Sequence, residues 1–259
     1  MGDRIKPESV IGMGQNMQEK KNVAFWSSDT SFMVAILPPT LVSGIIEPLQ
    51  TDEASLMIPH AINLPDLSFK GNRTYIHGTE FFDVISSFLQ SQLPAHHDGF
   101  ITNLSFRQFA IRQCQIFLYS PPESKAECIC HGLWCSGNAN EPIRFWVYER
   151  EDPVTERYEF DEKLICSGSE LFDDRVRSFV VPEFSLIENI VALTKHLHNV
   201  KWPLEEGKWV FGQIVLKRAL PSQSKTIEIW NFQNIKNRFS RNKIFVDQRE
   251  VGDIRFIVS

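Results

Sequence analysis

Residues 73–90 read Arg73-Thr-Tyr-Ile-His-Gly-Thr-Glu-Phe-Phe-Asp-Val-Ile-Ser-Ser-Phe-Leu-Gln, and this stretch decides the fold. It begins extended and turns at His77-Gly78. It continues as an apolar run, Phe81, Phe82, Ile85, Phe88 and Leu89, whose spacing is that of a helix. One acid, Asp83, stands among those apolar positions. Glycine at 78 permits the tight entry that a strand-to-helix turn needs. Pro94 closes the helix.

The pattern returns about a hundred residues later as Phe179-Val-Val-Pro-Glu-Phe-Ser-Leu-Ile-Glu-Asn-Ile-Val-Ala-Leu. Setting His77 over Pro182 pairs Ile76 with Val181, Phe81 with Leu186, Phe82 with Ile187, Ile85 with Ile190 and Phe88 with Leu193, and Asp83 falls on Glu188. An internal repeat fixes the architecture. Strand-like runs follow each helix: 101–110, 114–119 and 126–148 after the first, 211–220, 226–232 and 238–258 after the second, with Arg107 and Lys217 at matching places. The second half is shorter, because only 164–169 and 175–181 precede its helix.

One helix followed by antiparallel strands, twice, resembles the hot-dog fold, in which a curved sheet wraps a central helix. The fold class expected is therefore α+β, a double hot dog with two curved antiparallel sheets. Two local motifs carry the resemblance. Tyr75-Ile-His-Gly-Thr-Glu-Phe-Phe-Asp is similar to the turn entering the central helix of hot-dog thioesterases, and Pro182-Glu-Phe-Ser-Leu-Ile-Glu-Asn resembles the helix entry of acyl-carrier-protein dehydratases. In the dehydratases the helix acid is catalytic, and Glu188 matches it. This sequence departs from that pattern twice: Glu183 stands where the family has glycine, and Asp174 stands roughly where its catalytic His falls.

The organisation expected is an N-terminal tail over 1–22, a first half over 23–148, an exposed acidic linker over 149–163 and a second half over 164–259. Strand-like runs at 23–26 and 31–37 and apolar runs at 41–46 and 54–62 lead into the first half. At 42% hydrophobic residues with 20 Phe, the chain of 259 residues has ample material for a core. No apolar run approaches the length of a membrane span, about 18–20 residues. The start, Met1-Gly-Asp-Arg-Ile-Lys-Pro, lacks a secretory apolar core, and Lys6 spoils a myristoylation pattern. A cytoplasmic protein without a membrane partner is expected. The net charge of −5 argues against a general nucleic-acid binder.

Five cysteines without a secretory context read as free thiols. Cys128-Ile-Cys-His-Gly-Leu-Trp-Cys offers ligand-type residues on a single segment only, whereas a zinc site draws on convergent segments. His96-His97-Asp98 reads as a solvated loop. No metal and no cofactor are expected.

The resemblance implies chemistry on acyl thioesters, and physical logic supports it. An apolar sheet and helix make a tunnel for an acyl chain, and a helix N-terminus presents N–H groups that polarise a thioester carbonyl. An acid or His nearby then moves a proton. The catalytic candidates are Glu188, His77 and Asp83, with Gly78, Thr79 and Asp174 beside the substrate. Each acid also has a structural reading, a hydrogen bond to backbone or a pair with a basic residue. The partner expected is acyl-CoA or an acyl-carrier protein, both anionic, met by the basic cluster Lys236, Arg238, Arg241 and Lys243; a charged, solvated hairpin edge is the plain alternative. Monomer and homodimer remain open. Three functions compete: a dehydratase, isomerase or thioesterase; a degenerate relative that binds acyl chains or a partner subunit; and an unrelated α+β binding protein. Under the first, Glu188→Gln abolishes turnover at little cost in stability.

Overall fold

The computed structural model describes residues 61–93, 98–123, 127–137, 141–236 and 238–259. The expected tail over 1–22, the lead-in runs before 61 and the His96-His97 pair lie outside the described residues. Among the described residues, thirteen strands and three helices follow in order. The first half holds β1 (Ala61–Asn63), β2 (Phe69–Lys70), α1 (Gly78–Gln92), β3 (Phe100–Phe106), β4 (Arg112–Leu118), β5 (Cys130–Cys135) and β6 (Ile143–Pro153). Then come β7 (Arg157–Tyr158), α2 (Glu162–Cys166), β8 (Glu170–Leu171), β9 (Arg175–Phe179) and α3 (Leu186–Lys201). The chain finishes with β10 (Trp209–Leu216), β11 (Thr226–Ile235), β12 (Phe239–Val246) and β13 (Arg249–Val258).

Eleven strands form one antiparallel sheet, in the order β1-β4-β6-β5-β3-β10-β13-β12-β11-β9-β8. The two halves therefore share a single sheet rather than forming two. They join where β3 meets β10, each the first strand after its helix, in the register Leu104↔Ile214. The helices touch across this junction, and α3 also packs on β9, β10 and β11. The apolar positions paired by the sequence repeat are the ones that face the core: Phe82 and Ile187, Ile85 and Ile190, Phe88 and Leu193 are all buried.

The halves differ in one respect that the repeat conceals. Outward from the junction, the second half runs β10-β13-β12-β11, so its last three strands form a meander. The first half runs β3-β5-β6-β4, which places its last strand one position further out. Loop length accounts for the difference. Only residues 236–238 separate β11 from β12, so these strands must be neighbours, whereas residues 119–129 separate β4 from β5 and allow a crossover. Since β4 and β5 are each antiparallel to β6, they run in the same direction, and such strands need a connection of this kind.

Three expectations are corrected. Residues 149–153 complete the long strand β6 instead of starting a linker, Arg157-Tyr158 pair in parallel with Phe69-Lys70, and Glu162 opens a helix. Much of this acidic stretch is exposed, as its charge dictates, but it is built into the fold. The strand-like reading of 164–169 gives way to α2, whose start is capped by the Asp161 side chain accepting from the Lys163 N–H. The final hairpin, which the sequence leads one to join through Asp247-Gln-Arg-Glu, turns on two residues instead: Asp247 and Gln248 both take positive φ, the requirement of the two-residue turn that matches strand twist.

Candidate active site

The two helix starts differ in how their free N–H groups are satisfied. At α3, Ser185 is the N-cap: its hydroxyl accepts from the Glu188 N–H, and the Glu188 side chain accepts from the Ser185 N–H, a complete capping box. The helix thus starts at Leu186, a little after the Glu183–Phe184 position expected from sequence. At α1 the N-cap is His77, whose side chain makes no capping bond. The Gly78 and Thr79 N–H groups have no partner among the described residues, so the positive end of this helix is left open.

A buried charged cluster lies between the two starts. Lys70, carried in by the β2–β7 pairing, donates to Glu188 Oε1 at 2.6 Å and lies 3.0 Å from Glu80 Oε2. It also donates to Thr79 Oγ1 at 3.3 Å. Burial lowers the affinity of this amine for its proton, but the Glu188 and Glu80 carboxylates outweigh that effect and raise its pKa. Both Glu188 oxygens are occupied, Oε1 by Lys70 and Oε2 by the Ser185 N–H at 2.8 Å. Ser68 donates to Glu80 at 2.8 Å. The Ser185 hydroxyl donates to Asp83 Oδ2 at 2.7 Å, tying α3 to α1. Burial pushes the Asp83 carboxyl up to about 6, against the lowering effect of that hydrogen bond and of Lys70.

His77 joins this cluster to a cavity. Its Nδ1 lies 2.8 Å from Thr79 Oγ1. Lys70 donates to that hydroxyl, which keeps its own proton to give; donated to Nδ1, that proton corresponds to the ring tautomer with N–H at Nε2. Burial, with the Arg73, Lys70 and Lys195 cations nearby, lowers the His77 pKa well below the usual value, so the imidazole is neutral. Phe160 lies 5.9 Å from the His77 ring and beneath the Lys70 and Arg73 cations, while Glu162 pairs with Arg73 and Lys195. The stretch expected to be a linker thus supplies part of the site.

The cavity has a volume of about 340 Å³ and opens beside His77 and Gly78. Its walls are rich in aromatic rings, Tyr75, Phe81, Phe106, Trp209, Phe211 and Phe256. Arg107, Lys195 and Lys208 are its cations, and the Lys208 ammonium stands 4.5 Å over the Tyr75 ring. Gly78 has a role here other than turn conformation. Its φ is not positive, but a Cβ would lie 2.8 Å from Phe211 and 3.2 Å from Phe106, so glycine admits those rings against the helix start.

Of the residues singled out from sequence, the structure brings together His77, Gly78, Thr79, Asp83 and Glu188. Neither Asp83 nor Glu188 lines the cavity. Asp174 is exposed in the β8–β9 turn, where its carbonyl accepts the Asn231 N–H, and it makes no bond to the cluster. Lys236 and Arg238 lie at the β11–β12 turn and Arg241 on β12, none of them on the cavity wall, and Lys243 is held by Glu250 at 3.2 Å. Sequence reasoning missed Lys70, Glu80 and Phe160. Only Lys70 carried a signal, a lysine between an apolar run and a turn, and nothing local shows that its partner is 118 residues away.

No family model matches the chain, and no curated protein matches it in sequence. Among solved structures it is similar to the dehydratase domain of PpsC from Mycobacterium tuberculosis in complex with C12:1-CoA, at 8% identity over 78% of this chain and 98% of that one, with a TM-score of 0.42. It is also similar to a monomeric dehydratase domain from a trans AT polyketide synthase split module, at 11% identity over 76% and 99%, TM-score 0.39. A third is the pyran synthase domain from module nine of the sorangicin pathway, at 8% identity over 78% and 97%, TM-score 0.41.

Proposed function

We propose that the chain is a double hot dog that holds an acyl thioester, with the acyl chain in the aromatic cavity and the carbonyl at the start of α1. One observation carries this reading: the open end of α1 and a neutral His77 meet at the wall of the cavity, whereas the end of α3 is closed by its own capping box. The Gly78 and Thr79 N–H groups supply the donors that a developing oxyanion needs. The His77 Nε2–H adds a third donor, or moves a proton once Thr79 exchanges its own. This arrangement favours polarisation of a carbonyl, as in thioester hydrolysis, over dehydration. A dehydratase-like role for Glu188 would require a carboxylate free to exchange protons, and this one is bound at both oxygens.

The engaged Glu188 and the exposed Asp174 also favour a second reading, an acyl-binding protein without turnover. Mass spectrometry and calorimetry with a panel of acyl-CoA and acyl-pantetheine thioesters separate the two. Binding with slow hydrolysis that is lost in His77→Ala supports the enzyme. Binding that His77→Ala leaves unchanged, without hydrolysis, supports the carrier role. Failure of every thioester to bind overturns both.

A further inference from the structure

The second half of the sheet has a face turned away from the helices, and its composition is unlike that of the chain as a whole. Along β12, Ser240, Asn242, Ile244 and Val246 point inward and are buried, so Phe239, Arg241, Lys243 and Phe245 point outward. On β13 the outward residues are Asp253, Arg255 and Ile257; on β9 they are Arg175, Arg177 and Phe179. Trp230 on β11 stands opposite Arg175 and Lys243.

Arginine and aromatic rings alternate across this face. Arg241 lies 5.3 Å over Phe232, Arg255 lies 5.5 Å over Phe239, and Arg175 lies 4.7 Å over Phe172 and 5.3 Å over Trp230. Arg241 and Arg255 stand directly opposite each other in the β12–β13 register. Like charges in that position repel, and neither forms an ion pair among the described residues. Arg177, Arg238 and Lys236 are likewise without a carboxylate partner there, while Arg175 is held by Glu228 and Lys243 by Glu250. Apolar surface is exposed beside them: Phe179 is 73% exposed and Phe232 47%.

We propose that this face binds single-stranded nucleic acid, with phosphates between the facing arginines and bases stacked on the guanidinium planes and exposed rings. Unpaired cations arranged along aromatic platforms on an open sheet are what a single strand uses, because every base has a face to stack and every link carries a charge. A facing pair of unpaired arginines is relieved by a polyanion whose charges repeat along a chain. An acidic protein would also meet the charge, but it would not require aromatic rings set within 5.5 Å of the cations. The proposal departs from the expectation set by net charge: in a chain at −5, this face and the adjoining β11–β12 turn carry five cations without an ion pair among the described residues, while of the acids there Glu228 is held by Arg175 and Glu250 by Lys217 and Lys243.

The test is fluorescence anisotropy of the full chain with labelled single-stranded RNA and DNA of about 15 nucleotides, as a function of salt, with duplex DNA and polyglutamate as controls. Each phosphate contact contributes about −0.7 to the slope of log K against log salt, so five cations set a limit of about −3.5. The expected result is binding of single strands in preference to duplex. Arg241→Glu with Arg255→Glu should weaken it at least about tenfold and flatten the slope by about 1.4 or more. Phe232→Ala should weaken it roughly fivefold or more and leave the slope alone. These side chains face solvent, and an unchanged circular dichroism spectrum verifies the fold. Absence of binding at about 50 mM salt, binding indifferent to the arginine reversals, or equal binding of polyglutamate through the same arginines each overturns the proposal; the last would reassign the face to an acidic protein.

Discussion

Replacing Glu188 by Gln separates the chemistry implied by resemblance from the geometry of the buried cluster. The side chain keeps its shape but retains one acceptor oxygen where the carboxylate used two, one for Lys70 at 2.6 Å and one for the Ser185 N–H at 2.8 Å. Its new amide group faces whichever donor is left. Lys70 is not stranded, because Glu80 remains 3.0 Å away. The loss is therefore that of one charge-assisted bond with a donor left facing a donor, about 2–3 kcal/mol. Lys70→Met is the harsher change: it leaves Glu80 and Glu188 both buried without a cation, at a cost of about 3–5 kcal/mol. Urea denaturation followed by tryptophan fluorescence reads these values as a fall in midpoint at constant slope. Thioester hydrolysis should persist in folded Glu188→Gln, because Glu80 still holds Lys70 beside Thr79 and His77, and the start of α1 keeps its open N–H groups. An unchanged midpoint together with abolished hydrolysis would refute this reasoning and restore Glu188 as the proton-transfer group.

Other perturbations follow from the same geometry. With the Asp83 pKa raised by burial to about 6, the native state binds this proton more tightly than the unfolded chain, so its contribution to stability is full below about pH 4 and is lost as pH rises through about 6. Asp83→Asn keeps an acceptor for Ser185 and should stabilise the fold by about 1–3 kcal/mol at pH 8 but little at pH 4; equal denaturation midpoints at pH 8 would contradict it. Gly78→Ala drives a methyl group against Phe211 and Phe106, so acyl binding should weaken most for the longest chains, and a uniform loss across chain lengths would place the acyl group elsewhere. Gly252→Ala sets a Cβ against the Val215 carbonyl at the β10–β13 pairing and should cost about 1–3 kcal/mol, read as a lower unfolding temperature. Thr79→Val should move the His77 ring tautomer in nitrogen NMR while Thr79→Ser restores it; identical spectra would remove the hydroxyl from the relay.

The legible part of the fold was the part encoded locally. Helical spacing at Phe81, Phe82, Ile85, Phe88 and Leu89 and again at Ile187, Ile190 and Leu193 located both helices, but not that their strands pair edge to edge into one sheet, because that pairing joins residues far apart in sequence. The order of β5 and β6 was not legible, because it depends on where the connection over 119–129 travels and not on the apolar pattern of the strands. Charge density misled over 149–163: acidic residues announce exposure, but one face of a strand or helix can be exposed while Phe160 and Glu162 reach inward. At the site, His77, Thr79, Asp83 and Glu188 were visible as polar residues in apolar surroundings. Their roles were not, because a carboxylate's role depends on what occupies its oxygens, and Lys70 arrives from the far side of the sequence.

The two helix starts show how one repeat can be spent on two tasks. Ser185 and Glu188 close α3 from within, and the same carboxylate, by taking Lys70, fixes the amine that orients Thr79 and through it His77. Closure of one helix end therefore organises the open end of the other. The second half acts on the cavity through Lys70 without lining it with its acid, and for that reason loss of Glu188 should be felt first in stability, with Glu80 keeping Lys70 in place beside Thr79.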